Sequence, residues 1–389
     1  MVVLSSKPTM RVLILSSSTG GGHNTRARAL TAWTQKFPEL GVSTHQHQTL
    51  EEQHGLYHFG VEVYNSIQKR APRLHHIYFN YLEIAGMFSS EKKIFSPQRF
   101  VRVLEEEQPE AILSVHGSLN HGFFQMARRT LGRNRVRCVT YCGELYGGYG
   151  FSRHWVNPDA DLFIGAVEET RDAAREWGMA DEKSRVGGFL LDPSFYEARL
   201  TAEEKKRVIT EELGLNPNEF ILMLATGEVG ANNHVAFLKA LAEAGLALQV
   251  VALCGRNAKS LAAVETWAKT HPEFRIKALP FTKKMAVLLQ CVSAVVARPG
   301  TGTTSESILS ECPVIGNGVG GIMPQEGITV KFGLKHDITE VIRRPAELPA
   351  VVQRWIERPE RREQIKANMR KVRPVQQPRQ ILEWVMGRS

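Results

Sequence analysis

The stretch SSSTGGGHNTRA, residues 16–27, holds the first combination of residue types able to do chemistry. It follows the apolar run Val12–Leu15 and leads into a stretch with helical spacing. Gly20, Gly21 and Gly22 at a strand-to-helix junction let a ligand approach the backbone. His23 adds an imidazole that exchanges a proton near neutral pH, although a lone histidine at a helix start also serves as a cap or a packing residue. The glycines fit neither a Walker loop, which needs Gly-Lys-Ser/Thr, nor the GxGxxG dinucleotide fingerprint, so NTPase and dehydrogenase chemistry are set aside. A second combination is ARPGTGTTSESILSECPVIGNGVGGIMPQEG at 297–327. There a strand ends at Ala297, Pro299-Gly300 turns the chain, and Thr301–Ser305 opens a helix whose N–H groups form an anion site. Glu306, expected in the first turn of that helix, can accept two hydrogen bonds from vicinal ribose hydroxyls. Diphosphate on a helix start with ribose on a carboxylate is what a nucleotide diphosphate needs.

The elements that must position these residues repeat one pattern. Strands are expected at Arg11–Ser16, Ala111–Val115, Val136–Tyr141 and Leu162–Gly165, then at Ile221–Thr226, Leu248–Leu253, Arg275–Ala278, Ala294–Ala297 and Val314–Ile315. Helical spacing between them marks Thr25–Lys36, Gln98–Glu107, Gly122–Thr130, Val235–Ala244 and Ser260–Thr270. Alternation of helices with nearly continuous apolar strands implies parallel sheets covered on both faces. The pattern starts twice, at LILSSSTGGGH and LMLATGEVGANN, on either side of the strand-free stretch Pro193–Phe220. The expected fold is α/β, with two Rossmann-like domains facing each other across a cleft, residues 1–195 and 196–389, leaving open that the last helix packs back on the first domain. Such sheets bind ligands at the carboxyl ends of their strands.

Composition narrows the function classes. With 389 residues, 43% hydrophobic and 23% charged, the chain reads as an ordinary globular protein of two domains. Neither a membrane span nor a signal peptide is recognisable, so a cytoplasmic protein is expected. Five scattered cysteines suit buried thiols in a reducing compartment better than disulfides or zinc. His54, His58 and Glu62 invite a metal reading that lacks a further ligand. The net charge of +9 suits an anionic partner. No nucleic-acid-binding module is present, so nucleic acid is not the expected one. The cations near the C-terminus, Arg361 to Arg388, read equally as a solvated helix face.

Four segments, in order, carry a family resemblance: SSSTGGGHNTRARAL, CGRN at 254–257, LPFTKKMAVLL at 279–289 and RPGTGTTSESILSECPVIGNG at 298–318. In these the chain resembles the monogalactosyldiacylglycerol synthases and the bacterial processive diacylglycerol glucosyltransferases. Those enzymes are grouped with the peptidoglycan-precursor N-acetylglucosaminyltransferase among inverting GT-B glycosyltransferases. The resemblance implies transfer of a hexose from a UDP-sugar to a lipid acceptor, diacylglycerol, with no cofactor beyond the donor substrate. It also implies peripheral association with the inner face of a membrane. Other readings it allows are a same-fold UDP-GlcNAc transferase acting on another lipid-linked or small acceptor, and a catalytically altered sugar-nucleotide-binding protein.

The resemblance also implies residue roles. His23 would be the base, or hold it, beside an acceptor lined by Gly20, Gly21, Gly22 and His116. Gly300, Thr301, Gly302 and Thr303 would hold the diphosphate, with Arg298 meeting leaving-group charge. Glu306 would bind ribose, Phe281 and Met285 would line the base pocket with Arg256 and Asn257 nearby, and Gly227 and Glu228 would face the same gap. Gln325 and Glu326 would read sugar hydroxyls.

The chain departs from the family pattern in four places. Arg298 replaces a lysine, Met323-Pro324 precedes the Gln-Glu pair in place of Pro-Gly, and Thr329 is nearby where an asparagine is usual. Where an aspartate, a candidate base in the family, follows the strand ending in Thr140, the text is Tyr141-Cys142, and Glu144 would replace it as the catalytic carboxylate only with the loop rebuilt. No DxD-like metal motif lies near the expected cleft, so transfer is expected to proceed without a metal. Residues 56–95 mix aromatic and aliphatic groups with Lys69, Arg70, Arg73, Lys92 and Lys93. That composition suits either an anionic lipid interface, where the family docks, or two ordinary amphipathic helices.

Overall fold

A computed structural model describes residues 9–70, 72–225 and 233–388, excluding the side chains of 68–70 and 72. The chain divides into two units, one made of Met1–Ile67, Leu74–Pro193 and Pro374–Ser389, the other of Gln68–Arg73 and Ser194–Arg373. Among the described residues each unit holds one six-stranded sheet.

In the first unit the strands are β1 (Met10–Ser16), β2 (Val42–Gln48), β3 (Ala111–Ser114), β4 (Arg137–Cys142), β5 (Leu162–Gly165) and β6 (Ser184–Val186), in the order β2-β1-β3-β4-β5-β6. In the second they are β7 (Ile221–Ala225), β8 (Gln249–Leu253), β9 (Ile276–Leu279), β10 (Ala294–Ala297), β11 (Val314–Asn317) and β12 (Thr339–Ile342), in the order β12-β11-β10-β7-β8-β9. Neighbouring strands are parallel throughout both sheets. The inner strands β3, β5, β7, β8, β10 and β11 are buried along their whole length, the signature of a sheet covered on both faces.

The expected strands are present, with ends shifted by at most two residues. Three further strands, β2, β6 and β12, escaped the sequence reading, and all three are edges. β2, VSTHQHQ, alternates partly buried and exposed residues up to Gln46, and after Val42 its inner positions are polar. Thr44 bonds Thr31, and Gln46 bonds Ser16 and Asn24.

The close of the first unit is pinned by aromatic polar ends. Trp33 Nε1 donates to Leu191 O at 2.8 Å, and the Tyr141 hydroxyl donates to Gly188 O and accepts from Leu190 N–H. The last helix, Pro378–Val385, belongs to this unit: Arg137 Nε donates to Trp384 O, and Ile381 fills the space left by Gly187. Most of the C-terminal cations are internal ties. Arg361 grips Asp337 through two bonds of 2.6 Å, Arg370 and Arg199 share Glu311, and Arg362 lies over Phe220.

Strand order reverses direction between β1 and β3 in one sheet and between β7 and β10 in the other. The loops leaving such a pair diverge and open a crevice at the strand ends. His23 and His116 follow β1 and β3, and Arg298–Gly300 follows β10. The loop after β7, with Gly227 and Glu228, lies outside the described residues.

Candidate active site

Gly20 and Gly21 adopt φ of 70° and 78°, a left-handed turn that side chains resist, and Gly21 caps the helix Gly22–Lys36. The turn sets His23 in the first helical turn, beside the end of β3. His23 Nδ1 lies 2.7 Å from Val115 O, and since a carbonyl only accepts, Nδ1 carries the proton and Nε2 keeps its lone pair. His116 has the opposite tautomer: its Nδ1 accepts from Ser118 N–H, so Nε2–H donates to Thr19 Oγ1 at 3.0 Å. The two imidazoles lie 4.4 Å apart, with the Trp155 ring 6.0 Å from His23. Burial holds both neutral. His23 is pushed well below its ordinary value by desolvation, reinforced by His116 and Arg26, and His116 falls to about 4 by desolvation.

The glycine loop is clamped by side chains from elsewhere in the unit. Glu51 Oε1 accepts from the hydroxyls of Ser17 and Ser18 and from Ser18 N–H. Asn65 accepts from Gly20 N–H at 3.0 Å and donates to Ser18 O at 3.2 Å.

At the end of β4 the two residues standing where the family has its aspartate are turned inward. The Tyr141 hydroxyl is occupied as described above, and burial pushes the Cys142 thiol well up. Glu144, 9% exposed, is the carboxylate that remains, and its Oε2 is buried without a hydrogen-bond partner. Desolvation raises it to about 7, against the opposing pull of Arg26. The Arg26 guanidinium donates to Gly143 O at 3.2 Å, and a Cβ on residue 143 would fall inside it. The first unit thus gathers Gly20–Gly22, His23, His116 and Glu144, together with Arg26, Glu51, Asn65 and Trp155, which the sequence reading missed. Arg26 follows His23 by one helical turn, a spacing that marks it; Glu51 and Asn65 carry no comparable signal.

In the second unit Gly300 takes an extended conformation and caps the helix Thr301–Ser310. A Cβ on Gly300 or Gly302 would meet nothing within 4 Å, so the space before the first-turn N–H groups is open. Glu306 falls in the second turn, not the first as expected, because the helix already begins at Thr301. The dipole therefore favours its carboxylate little, the effect fading within one turn. Arg256 stacks over Phe281 at 4.2 Å, with Phe281 43% exposed. Asn257 caps the helix Ala258–Thr270 through Ser260 N–H, and half-buried Met285 opens the helix Met285–Cys291.

The structure pairs two of the expected contact residues with each other. Arg298, expected to meet leaving-group charge, binds both carboxylate oxygens of Glu326 and donates to Val319 O and Gly321 O. Glu326, expected to read sugar hydroxyls, instead accepts from Arg298 and from Met323 N–H at the start of its helix, Pro324–Lys335. A fork-to-fork pair occupies both groups. Its role is to fix the turn that carries Gln325. Breaking a buried pair from one side strands a charge, so Arg298→Ala is expected to lower stability by about 3 kcal/mol or more. Equilibrium urea unfolding measures this, and a loss under 1 kcal/mol would show the pair to be dispensable.

Residues 56–95 form the helices Gly55–Arg70 and His75–Ala85 and the turns after them. Leu56, Phe59, Leu74, Ile77, Tyr81, Ile84 and Phe95 are each more than half exposed, and Lys92 and Lys93 are exposed beside them. His54 lies just before the first helix rather than on a face with His58 and Glu62, and its Nδ1 accepts from Leu56 N–H. No helix among the described residues is long and apolar enough to cross a membrane.

Fold and strand-end geometry define an α/β protein of the GT-B type, and solved structures share that fold. Acinetobacter baumannii MurG aligns over 97% of this chain and 99% of its own, with a TM-score of 0.61 at 15% identity. Anabaena HepE, solved in complex with UDP-glucose, aligns over 97% and 98% with a TM-score of 0.54 at 14% identity. Sequence relatives then narrow the comparison. The chain is 24% identical to the monogalactosyldiacylglycerol synthase of Spinacia oleracea over 89% of its length and 66% of the relative's. It is also 24% identical to the processive diacylglycerol beta-glucosyltransferase of Bacillus pumilus, over 66% and 65%. The resemblance read from the motifs is therefore carried by most of the chain, which spans about two thirds of the length of these curated relatives. No protein-family model matches it.

Proposed function

We propose that the protein is an inverting glycosyltransferase that moves a hexose from a UDP-sugar to a lipid alcohol, diacylglycerol, at a membrane surface. The observation that carries this reading is His23: a half-buried, neutral imidazole with Nδ1 committed to Val115 O and the Nε2 lone pair available. Nε2 takes the proton from the acceptor hydroxyl as its oxygen attacks the anomeric carbon, and the nucleoside diphosphate leaves. Single displacement inverts the anomeric centre. The diphosphate charge is received by the N–H groups opening the helix Thr301–Ser310, ribose by Glu306, and the uracil ring by Phe281, Met285 and the Arg256 side chain.

The exposed apolar residues of 56–95, with Lys92 and Lys93 beside them, support docking on an anionic lipid surface. Gln325 is left to read the sugar hydroxyls, now that Glu326 is committed to Arg298. The purified protein, incubated with labelled UDP-glucose, UDP-galactose and UDP-GlcNAc and with diacylglycerol in vesicles, is expected to yield a glycolipid from one hexose donor. Mass spectrometry identifies the product and proton NMR its anomeric configuration. Absence of a lipid product from every donor would refute the reading.

A donor-side prediction follows from the open space at Gly302. Gly302→Val is expected to leave the fold intact, since nothing meets its side chain, and to weaken UDP binding by about tenfold or more through loss of charge-assisted N–H contacts. Isothermal calorimetry with UDP checks it; unchanged affinity would move the diphosphate elsewhere.

A further inference from the structure

The helices that expose the apolar stripe are the same helices that hold the histidine loops. On Gly55–Arg70, Leu56 and Phe59 face out, whereas Tyr57, Val61 and Asn65 lie on the inner side. Asn65 takes both the Gly20 N–H and the Ser18 carbonyl, main-chain groups of a loop that has left the sheet two residues earlier. On His75–Ala85, Ile77, Tyr81 and Ile84 face out at helical spacing, and Glu83 lies on the inner side. The Glu83 carboxylate accepts from Ser152 Oγ and Arg153 N–H, the Arg153 guanidinium donates to Glu83 O, and His154 Nε2 donates to Leu82 O at 3.3 Å. These bonds suspend the turn Arg153–Trp155. The Trp155 ring then packs on Gly117, where a Cβ would touch it at 3.4 Å, and on His23. His75 Nε2 donates to Tyr64 O at 3.2 Å and joins the two helices to each other. A path of hydrogen bonds and ring contacts therefore runs from each exposed face to the imidazole pair, through Asn65 to the glycine loop and through Glu83 to Trp155.

We propose that Asn65 and Glu83 are positioning residues that transmit contact with a lipid surface to the His23–His116 pair, so that the histidine geometry differs between free and surface-bound protein. This rests on the membrane reading above. The exposed side chains are apolar, and the same segment exposes Lys92 and Lys93 close to Phe95 in the sequence, so the occupant is an anionic bilayer. A displacement of either helix moves the loop it holds, because each loop backbone is bonded to a side chain of that helix. Neither side chain contacts the reacting atoms; both act through the loops they hold.

The experiment uses the full chain labelled with 5-fluorotryptophan, with the Trp155 fluorine resonance assigned by Trp155→Phe. Vesicles of phosphatidylglycerol and phosphatidylcholine are added, and binding is measured in parallel by sedimentation. In the wild type the Trp155 resonance is expected to shift on binding. In Asn65→Ala with Glu83→Gln the protein is expected to sediment equally, with the shift reduced by more than half. Asn65→Asp, which keeps the acceptor for Gly20 N–H and loses the donor to Ser18, provides a milder variant with an intermediate shift. Glu62→Gln, on the outer side of the same helix, is expected to behave as wild type. Protein that fails to sediment with vesicles refutes the membrane reading and this proposal with it. Protein that sediments while Trp155 stays unmoved, or variants that keep the full shift, refute the coupling alone.

Discussion

His23→Ala will lower kcat by about 10²–10⁴-fold, the range that removal of a general base produces, and will leave UDP affinity unchanged. The magnitude follows from the tautomer. With Nδ1–H fixed on Val115 O, Nε2 is the unprotonated nitrogen, and its neutral state persists well below pH 6.5 because burial, His116 and Arg26 all oppose a charge. A base that is already neutral needs no deprotonation across the working range, so His23 contributes no acid limb to kcat/KM above pH 6.5. The neighbouring His116 cannot take over, since its Nδ1 accepts from Ser118 N–H and its Nε2 faces Thr19. The substitution removes one hydrogen bond and the ring contacts with His116 and Trp155, so urea unfolding of the variant is measured alongside to separate rate from fold. Added imidazole is expected to enter the vacated space and restore part of the rate. Steady-state kinetics with saturating donor, with and without imidazole, tests this; a kcat within threefold of wild type would exclude His23 as the base.

Legibility in the sequence followed burial. Inner strands such as β7, ILMLA, and β10, AVVA, are near-continuous apolar runs because helices cover both faces, and they were read to within two residues. β2, VSTHQHQ, was invisible because an edge strand can satisfy its inner positions with hydroxyls and amides, as Thr44 and Gln46 do. In the candidate site, His23 and the Pro299-Gly300 turn were legible because each sits at a strand-to-helix junction with glycines. The Glu51 and Asn65 clamps were not, since their partners lie more than thirty residues away and no spacing rule connects them. For the same reason the pairing of Arg298 with Glu326, 28 residues apart, was not legible.

Glu144 gives the second large effect, and stability reports it. Its carboxyl is raised from the usual 4.5 to about 7 by burial, so between those values the folded protein holds a proton that the unfolded chain has released. Its contribution to stability is therefore fully present below pH 4.5 and is lost as pH rises through 7, an amount on the order of 3 kcal/mol. Glu144→Gln removes this dependence. The absolute stability of the variant also changes, because Arg26 loses a facing carboxylate, so the informative quantity is the difference between the two pH curves. His23, His75, His116 and His121 are all depressed and weaken the fold as pH falls below 6.5, but they are common to both proteins and cancel. Urea unfolding at pH 5 and pH 8 is expected to show wild type losing about 3 kcal/mol more than Glu144→Gln between the two. Parallel stability curves would mean that the carboxylate is solvated.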